Sequence, residues 1–321
     1  MKVLITGITG MTGSHLAENL LGRKGVQVHG VIRWRDTMKH LKKTAEKLAL
    51  HECDLRDAYG VSDLIRRIQP EQIYHLAAET SVANSWKNPD QTITNNITCQ
   101  LNIFEAARQF CPDAGILVTG SSESYGLVEE KDLPVNEETG FRPLSPYGVS
   151  KISQDMLAYQ YYKSYGLNIV RVRVFNLTGP RQNSTFALAS FAKQLTRIES
   201  GLQPPVIQVG NLEAQRDFTD FRDAAQAYWL ALKQGKAGEV YNIGSGRSRP
   251  LKSALDLLLD ISGLDVTIQR DPDRMRPSDI PCMVCDNTKF CSATGWRPEI
   301  PFRKTLEDLY RYWQDQWKDK E

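Results

Sequence analysis

The first thirteen residues constrain the fold of this chain more than any other stretch. An apolar run from Lys2 to Thr6 predicts a buried strand, and the next seven residues have the spacing G-x-x-G-x-x-G. Apolar residues then recur at helical spacing from Ser14 to Leu21. Strand, glycine loop and helix in this order predict a dinucleotide site with the pyrophosphate at the helix N-terminus. The residues predicted to contact the cofactor here are Gly7, Thr9, Gly10, Met11, Thr12 and Gly13.

Two arginines follow the second predicted strand. Residues 26–32 have the composition of a strand, and Arg33 and Arg35 come directly after it. An acidic side chain at this position binds the ribose 2′-hydroxyl of NAD, whereas an arginine accommodates the 2′-phosphate of NADP. We therefore expect NADP as the cofactor, and NAD is the alternative if these arginines are only solvated basic residues.

The ends of the third and fourth predicted strands lie along the expected path of the cofactor. Residues 50–57 contain the third strand and its loop, where Asp54 is placed to accept a hydrogen bond from the adenine amino group. Residues 72–79 contain the fourth strand. Its end, with Leu76, Ala77 and Ala78, is expected to let the cofactor pass closely. His75 in the same strand is expected to be a core residue and not a catalyst.

A hydroxyl, a carboxylate, a phenol and an amine follow the fifth predicted strand. Residues 115–120 form an apolar run, and Ser121 and Glu123 come directly after it. Residues just past the carboxyl end of a strand face the ligand crevice in an open parallel sheet. Tyr147 and Lys151 are four residues apart and would share one face of a helix. An ammonium beside a phenol favours phenolate, so Tyr147 is predicted to be a general base with a pKa below the usual ~10. The alternative is a solvated helix face.

Repeated strand–helix units predict the fold class. At least five βα units follow one another up to a strand at 167–175, which predicts an α/β fold with a doubly wound parallel Rossmann sheet. After Asn176, frequent prolines divide the chain into shorter elements, which predicts a smaller C-terminal substrate-binding lobe. We expect residues 1–175 to form the NADP-binding domain, rejoined by about 217–246. Residues 176–216 and 247–321 are expected to form the lobe.

Charge, hydropathy and cysteine spacing disfavour several classes of protein. The net charge of +2 gives no reason to expect nucleic acid or an anionic membrane as a partner. No apolar stretch approaches the ~18 residues of a membrane span, and the N-terminal strand leaves no room for a signal peptide, so we expect a cytoplasmic protein. Cys282 and Cys285 have the spacing of half a zinc site, but nothing nearby in the sequence completes it, so no metal is expected.

Taken together, these motifs resemble the extended short-chain dehydrogenase/reductase superfamily over essentially the whole chain. The matching segments are 6–13, Asp54-Leu55, 75–78, Tyr147-x-x-x-Lys151 and Asn176. Within the superfamily, segments 4–10, 29–33 and 121–126 are similar to GDP-mannose 4,6-dehydratases. Segments 210–220 and 274–278 are similar to the sister family of GDP-4-keto-6-deoxymannose reductases. The resemblance implies a GDP-sugar substrate, Leu55 in the cofactor site, and a homodimer or homotetramer.

The carboxylate of Glu123 favours the dehydratase among these activities. Oxidation of the sugar at C4 needs Tyr147 as the base and Ser121 as a hydroxyl donor, and the resulting ketone acidifies the C5 proton. Glu123 is placed to take that proton while the C6 hydroxyl leaves as water. The predicted reaction converts GDP-mannose to GDP-4-keto-6-deoxymannose, with the hydride returned to C6. The alternatives are an NADPH-dependent reductase of the 4-keto sugar, in which Glu123 is structural, a nucleotide-sugar epimerase, and a non-catalytic sugar-nucleotide-binding protein.

Substrate binding requires cations at the diphosphate. Arg216 and Arg276 are the candidates, since a guanidinium can bind phosphate oxygens bidentately. Asn176 is expected to bond a phosphate or the sugar, and Ser122 is expected to contact the substrate. Arg181 is a further candidate, for which solvation at the surface is the alternative.

Overall fold

The protein is described here by a computed structural model that covers residues 1–275 and 280–318. Its strands are β1 (Lys2–Thr6), β2 (Gln27–Ile32), β3 (Ala49–Glu52), β4 (Gln72–His75), β5 (Gly115–Ser121), β6 (Ile169–Val174), β7 (Asn176–Thr178), β8 (Val206–Val209), β9 (Gln215–Asp220), β10 (Val240–Ile243), β11 (Ser248–Pro250), β12 (Thr267–Arg270) and β13 (Cys282–Met283). Its helices are α1 (Met11–Leu21), α2 (Ala58–Ile68), α3 (Val82–Lys87), α4 (Pro89–Phe110), α5 (Pro146–Tyr165), α6 (Ala187–Glu199), α7 (Phe221–Gln234), α8 (Leu251–Ser262), α9 (Thr288–Thr294) and α10 (Phe302–Lys318).

A seven-stranded parallel sheet forms the centre of the molecule. Its strand order is β10-β6-β5-β4-β1-β2-β3. The chain starts in the middle at β1, runs outward to β3, and then crosses to β4 before running to the other edge. The direction of winding therefore reverses between β1 and β4, which is where ligands bind in folds of this kind. The predicted doubly wound Rossmann sheet is confirmed.

Both faces of the sheet are covered by helices, which explains why its strands are continuously apolar. Val3 and Ile5 of β1 pack into one apolar cluster with residues of α1 and α7. Leu4, between them, packs into a second cluster with residues of α2 and α4. Successive side chains of a strand point to opposite faces, so a strand buried on both sides needs apolar residues at every position.

A buried ion cluster ties α5 to the sheet. Asp155 on this helix lies 2.6 Å from Nη1 of Arg171 and 2.8 Å from Nε of Arg173, both on β6. Arg173 also donates to the hydroxyl of Tyr125 at 3.0 Å. All four side chains are buried. The cluster therefore fixes the helix that carries Tyr147 relative to the segment that follows β5.

The rest of the chain forms two smaller sheets and their helices. β9 pairs with β7, β11 and β13, and β8 pairs with β12. Helices α6, α8 and α10 share an apolar cluster that includes Leu195, Leu255 and Leu309. The chain returns to the central sheet through α7 and β10, whereas residues 217–220, expected to belong with that sheet, lie in β9 of the small one.

Two element boundaries bear on how the site is positioned. α4 begins at Pro89, because proline fits the first turn of a helix. The predicted strand at 167–175 is shorter, and Asn176 opens a separate strand that leaves the central sheet for β9. No helix within residues 1–275 and 280–318 is both long and apolar enough to cross a membrane.

Candidate active site

The glycine loop after β1 is packed so closely that it has room for backbone atoms but not for side chains. A Cβ atom at Gly13 would lie 2.2 Å from the carbonyl oxygen of Gly7, and Gly7 itself has a φ of +69°. α1 starts after Gly10 with no side chain capping its first turn and no acidic residue within it. Unpaired N–H groups at a helix N-terminus bind anions, so these residues fit the pyrophosphate of a dinucleotide. Met11 and Thr12 on the same turn line a cavity next to this loop.

The end of β4 is fixed beside this loop by a buried hydroxyl. The Thr6 hydroxyl accepts hydrogen bonds from the backbone N–H groups of Leu76 and Ala77, at 3.1 and 3.2 Å. It also lies 3.0 Å from Nδ1 of His75. Burial, with the charge of Lys151, lowers the pKa of His75 to about 3. His75 is therefore a neutral interior residue, as expected from the sequence.

The four predicted catalytic side chains come together in one cavity of about 560 Å³. Ser121 ends β5, and its hydroxyl accepts the backbone N–H of Glu123 at 3.2 Å. Tyr147 and Lys151 lie one turn apart near the start of α5. That helix begins where it does because Ser145 caps it by accepting the N–H of Gly148 at 3.0 Å, with proline in its first turn.

Lys151 is held by two acceptors. Its Nζ donates to the carbonyl oxygen of Thr119 at 3.0 Å and to the side-chain oxygen of Gln154 at 2.8 Å. An ammonium has three donors, so one remains for a ligand. Burial lowers the pKa of Lys151 to about 7, because the charged form loses its hydration there.

The electrostatics of Tyr147 differ from the sequence expectation. Burial raises the pKa of Tyr147 to about 12; a hydrogen bond with Ser121 acts against this increase, and the charge of Glu123 contributes to it. The lysine Nζ lies 5.9 Å from the centre of the phenol ring. The predicted lowering of this pKa by Lys151 is therefore wrong for the protein alone, because desolvation outweighs the attraction of an amine that is itself half neutral near pH 7.

Two polar residues on the buried face of α4 hold α5 in place, and the sequence reasoning missed them. Asn96 donates to the Ser150 hydroxyl at 2.9 Å, and Gln100 donates to the carbonyl oxygen of Gln154 at 2.7 Å. Thr92 is buried on the same helix. The sequence contains a pattern that could have indicated them. Polar residues at 92, 96 and 100 recur every four positions and therefore share one helix face.

Some of the predicted substrate residues lie in the cavity that contains Tyr147, and others do not. Ser122, Asn176 and Arg216 line the cavity. Arg216 is buried on β9 and donates to the carbonyl oxygen of Ile280 at 2.6 Å. Arg181 is not among the lining residues, since its guanidinium pairs with Glu18 on α1 instead.

The segment after β12 supplies a second cation, Arg274, for which the sequence predicted no role in the site. Arg276, the predicted diphosphate ligand, lies outside the described residues. Arg274 lines the cavity and donates to the Ser190 hydroxyl at 3.0 Å. Its backbone packs on Gly210, where a Cβ atom would lie 2.7 Å from the carbonyl oxygen of Arg274. Gly210 therefore keeps this arginine at the cavity wall.

A second cavity of about 660 Å³ lies at the carboxyl ends of β2 and β3. Arg33, Arg35 and Asp54 line it, as expected for an adenosine site. Asp54 lies 2.6 Å from Arg56, and hydrogen bonds from this arginine lower the pKa of Asp54 to about 2. Seven predicted cofactor residues line neither cavity: Gly7, Thr9, Gly10, Gly13, Leu55, Ala77 and Ala78. Leu55 is buried in the apolar core that the central sheet forms with α2 and α4.

Comparison with known proteins decides the family. The profile of the family described as GDP-mannose 4,6 dehydratase matches residues 4–309. The chain belongs to this family. It is 30% identical to GDP-6-deoxy-D-mannose reductase of Pseudomonas aeruginosa over 99% of both chains. It is 33% identical to GDP-mannose 4,6 dehydratase 2 of Arabidopsis thaliana, over 95% of this chain and 84% of that one.

A solved structure of a relative agrees over the whole fold. RMD from Pseudomonas aeruginosa complexed with NADPH is 29% identical and superposes with a TM-score of 0.86, covering 98% of this chain and 99% of that one. The resemblance to the extended short-chain dehydrogenase/reductase superfamily and its GDP-mannose branch is confirmed. The prediction of an enzyme of that superfamily is confirmed with it.

Proposed function

We propose that the protein is an NADP-dependent GDP-mannose 4,6-dehydratase. The observation that supports this most is the presence of Glu123 in the cavity that holds Ser121, Tyr147 and Lys151. Its charge acts on the phenol of Tyr147, which requires the two groups to be near each other. A ketone reductase needs a proton donor but no base for a carbon acid, whereas elimination of water next to a ketone needs such a base.

The glycine loop, the end of β4 and the second cavity fit NADP. Gly7, Gly10 and Gly13 with the start of α1 would hold the pyrophosphate, and Arg33, Arg35 and Asp54 would face the adenosine. When bound, the cofactor supplies a hydride acceptor for C4 and a hydride donor for C6, and the positive charge of oxidised nicotinamide favours phenolate at Tyr147.

In the first half of the proposed reaction, Tyr147 removes the proton of the C4 hydroxyl while the C4 hydrogen leaves as hydride. Ser121 donates a hydrogen bond to the oxygen that becomes the ketone. The third donor of Lys151 stays available for a ribose hydroxyl, because Thr119 and Gln154 occupy the other two. The products of this half are a 4-keto sugar and a protonated Tyr147.

In the second half, Glu123 removes the C5 proton, which the ketone has made acidic. The same carboxyl passes that proton to the C6 oxygen, which leaves as water, and a C5–C6 double bond forms. C6 then receives the hydride and C5 receives a proton from solvent, while Tyr147 releases its own proton. The balance is the loss of one water with no net oxidation or reduction.

The diphosphate of the substrate is proposed to lie at the opposite end of the cavity. Arg216 and Arg274 face that end from β9 and from the segment after β12, and Asn176 lines it from β7. Each guanidinium can bind phosphate oxygens bidentately. The guanine base and the mannose configuration follow from the family relatives and not from a contact in the cavity.

A second candidate function is the NADPH-dependent reduction of the 4-keto sugar. The observation that favours it is that the reductase of Pseudomonas aeruginosa aligns over 99% of both chains, whereas the dehydratase of Arabidopsis thaliana is covered over only 84% of its length. One experiment separates the two. Purified protein receives GDP-mannose and a trace of NADP⁺ without NADPH. Formation of GDP-4-keto-6-deoxymannose supports the dehydratase, and no product, together with NADPH oxidation on a supplied 4-keto sugar, selects the reductase.

We further propose that the protein is a cytoplasmic homo-oligomer with the two domains expected from the sequence. α4 and α5 expose apolar side chains, among them Leu101, Val149, Met156 and Tyr159. Burial of such a face between two copies would remove apolar area from water. Light scattering during size-exclusion chromatography tests this. A monomer at micromolar concentration would contradict the oligomer.

A further inference from the structure

The second cavity contains more carboxylates than a site for a dianionic phosphate would be expected to have. Its lining includes four arginines and five acidic residues: Arg33, Arg35, Arg56, Arg67, Asp36, Glu52, Asp54, Asp57 and Asp63. The cavity therefore has no excess of positive charge. Whether it selects NADP over NAD depends on which arginine is already neutralised by a neighbour.

Three of the four arginines are paired. Arg56 lies 2.6 Å from Asp54, and Arg67 lies 2.8 Å from Asp63. Arg33, the first residue after β2, lies 3.1 Å from Asp36 through Nη2 and 3.2 Å through Nε. Each of these guanidinium groups therefore has a carboxylate partner before any ligand binds, although Asp63 also pairs with Arg66 at 2.7 Å.

Asp36 is held in this pairing by the glycine loop. One of its carboxylate oxygens accepts the Thr9 hydroxyl at 3.1 Å and the backbone N–H of Arg33, also at 3.1 Å. The other oxygen accepts the guanidinium. Because both oxygens are engaged, Asp36 is not placed to bind a ribose 2′-hydroxyl as the acidic residue of an NAD site would be. It instead fixes Arg33 beside the pyrophosphate loop.

Arg35 differs from the other three arginines. Its guanidinium lies 4.3 Å from the centre of the Trp34 ring, and Trp34 is 71% exposed. Among the residues that the structure describes, no carboxylate lies within ion-pair distance of Arg35. A guanidinium stacked on an aromatic ring keeps its planar fork of donors free for phosphate oxygens.

We propose that Arg35, and not Arg33, is the residue that makes this protein select a dinucleotide with a 2′-phosphate. Arg33 is a positioning residue that joins the end of β2 to the glycine loop through Asp36. The inference rests on the proposed function in one respect, which is that the protein binds a pyridine dinucleotide in these cavities. Beyond the proposed function, the inference identifies the residue that binds the 2′-phosphate.

The test measures the dissociation constants of NADP⁺ and NAD⁺ by isothermal titration calorimetry, with no substrate present. Arg35→Gln is expected to weaken NADP⁺ binding by about 10- to 100-fold, the effect of one lost charged hydrogen-bond partner, and to change NAD⁺ binding by less than about twofold. Arg33→Gln is expected to change the ratio of the two constants by less than about threefold, since its charge is already compensated. Lys39→Gln, which removes an exposed cation from the same segment, is the control and is expected to leave both constants unchanged.

Each result bears on one of the two proposals. If Arg33→Gln lowers the NADP⁺ preference and Arg35→Gln leaves it intact, this inference is overturned and the proposed function stands. If the unmodified protein prefers NAD⁺, the inference is overturned too. If the unmodified protein binds neither dinucleotide, the proposed function falls with it. All the substituted side chains are exposed, so thermal unfolding of each variant is expected to match that of the unmodified protein.

Discussion

Replacing Glu123 by glutamine separates the two halves of the proposed reaction. The substitution keeps the size of the side chain and the backbone hydrogen bond to Ser121 at 3.2 Å, so the segment after β5 stays in place. It removes the base for the C5 proton. It also removes a negative charge that raises the pKa of Tyr147, so the phenolate that oxidises C4 becomes easier to form.

The two effects act in opposite directions on the two steps. A positioned general base contributes about 10²- to 10⁴-fold, which corresponds to about 3 to 5 kcal/mol of barrier in the elimination step. Oxidation of C4 is expected to proceed at least as fast as in the unmodified protein. The ratio of the oxidation rate to the elimination rate is therefore expected to rise by at least about 100-fold.

The assay is a single turnover with enzyme and NADP⁺ in excess over GDP-mannose. Reduced nicotinamide, followed by its near-ultraviolet absorbance, is expected to accumulate in Glu123→Gln and to remain transient in the unmodified protein. Glu130→Gln, an exposed carboxylate seven residues further along, is the control and should behave like the unmodified protein. Full elimination in Glu123→Gln would refute the role of this carboxylate. Loss of C4 oxidation in the same variant would show that Glu123 acts on Tyr147 instead.

Four further predictions concern the site and its support. Tyr147→Phe is expected to lower turnover by about 10²- to 10⁴-fold while calorimetry still detects cofactor binding; unchanged turnover would exclude the phenol as the base. Gly13→Ala is expected to destabilise the protein by about 1 to 3 kcal/mol in urea unfolding, because its Cβ would lie 2.2 Å from a backbone oxygen, whereas Gly22→Ala, with 3.5 Å of clearance, is expected to cost less. The contribution of Lys151 to the free energy of unfolding is expected to rise between pH 7 and about 10, because the folded protein then binds fewer protons at Lys151 than the unfolded chain does; the slope of stability against pH should therefore be more positive in the unmodified protein than in Lys151→Met, and equal slopes would contradict the lowered pKa. Asp155→Asn is expected to cost about 3 to 5 kcal/mol, since it leaves two buried guanidinium groups without their carboxylate, and a loss below about 1 kcal/mol would contradict that pairing.

The parts of the fold and site that the sequence predicted are those encoded by local spacing. The glycine loop, the alternation of strands and helices, and the pairing of Tyr147 with Lys151 on one helix face all depend on residues a few positions apart. The dinucleotide loop, the Rossmann sheet and a common cavity for the catalytic side chains followed from these local patterns. The ion pair between Arg33 and Asp36, which are three residues apart, is equally local and could have been predicted from the sequence as well.

The features of the site that the sequence did not predict depend on contacts between residues far apart in the chain. Arg181 pairs with Glu18, more than a hundred and sixty residues away, and no spacing rule connects the two. The pKa of Tyr147 is governed by burial, which results from the packing of the whole cavity wall and overcomes the nearby lysine. The sequence motifs therefore indicated which side chains share the cavity, but the direction of this pKa needed the three-dimensional environment.

The most direct measurement of the central claim is the isotopic composition of the product formed in deuterated water. Purified protein is incubated with GDP-mannose and a catalytic amount of NADP⁺, and the product is examined by mass spectrometry and NMR. Elimination through Glu123 followed by protonation from solvent predicts a 4-keto-6-deoxy sugar with one deuterium at C5, none from solvent at C6, and many turnovers per cofactor. A product without solvent deuterium at C5, or no more than one molecule of product per molecule of cofactor, would contradict the account.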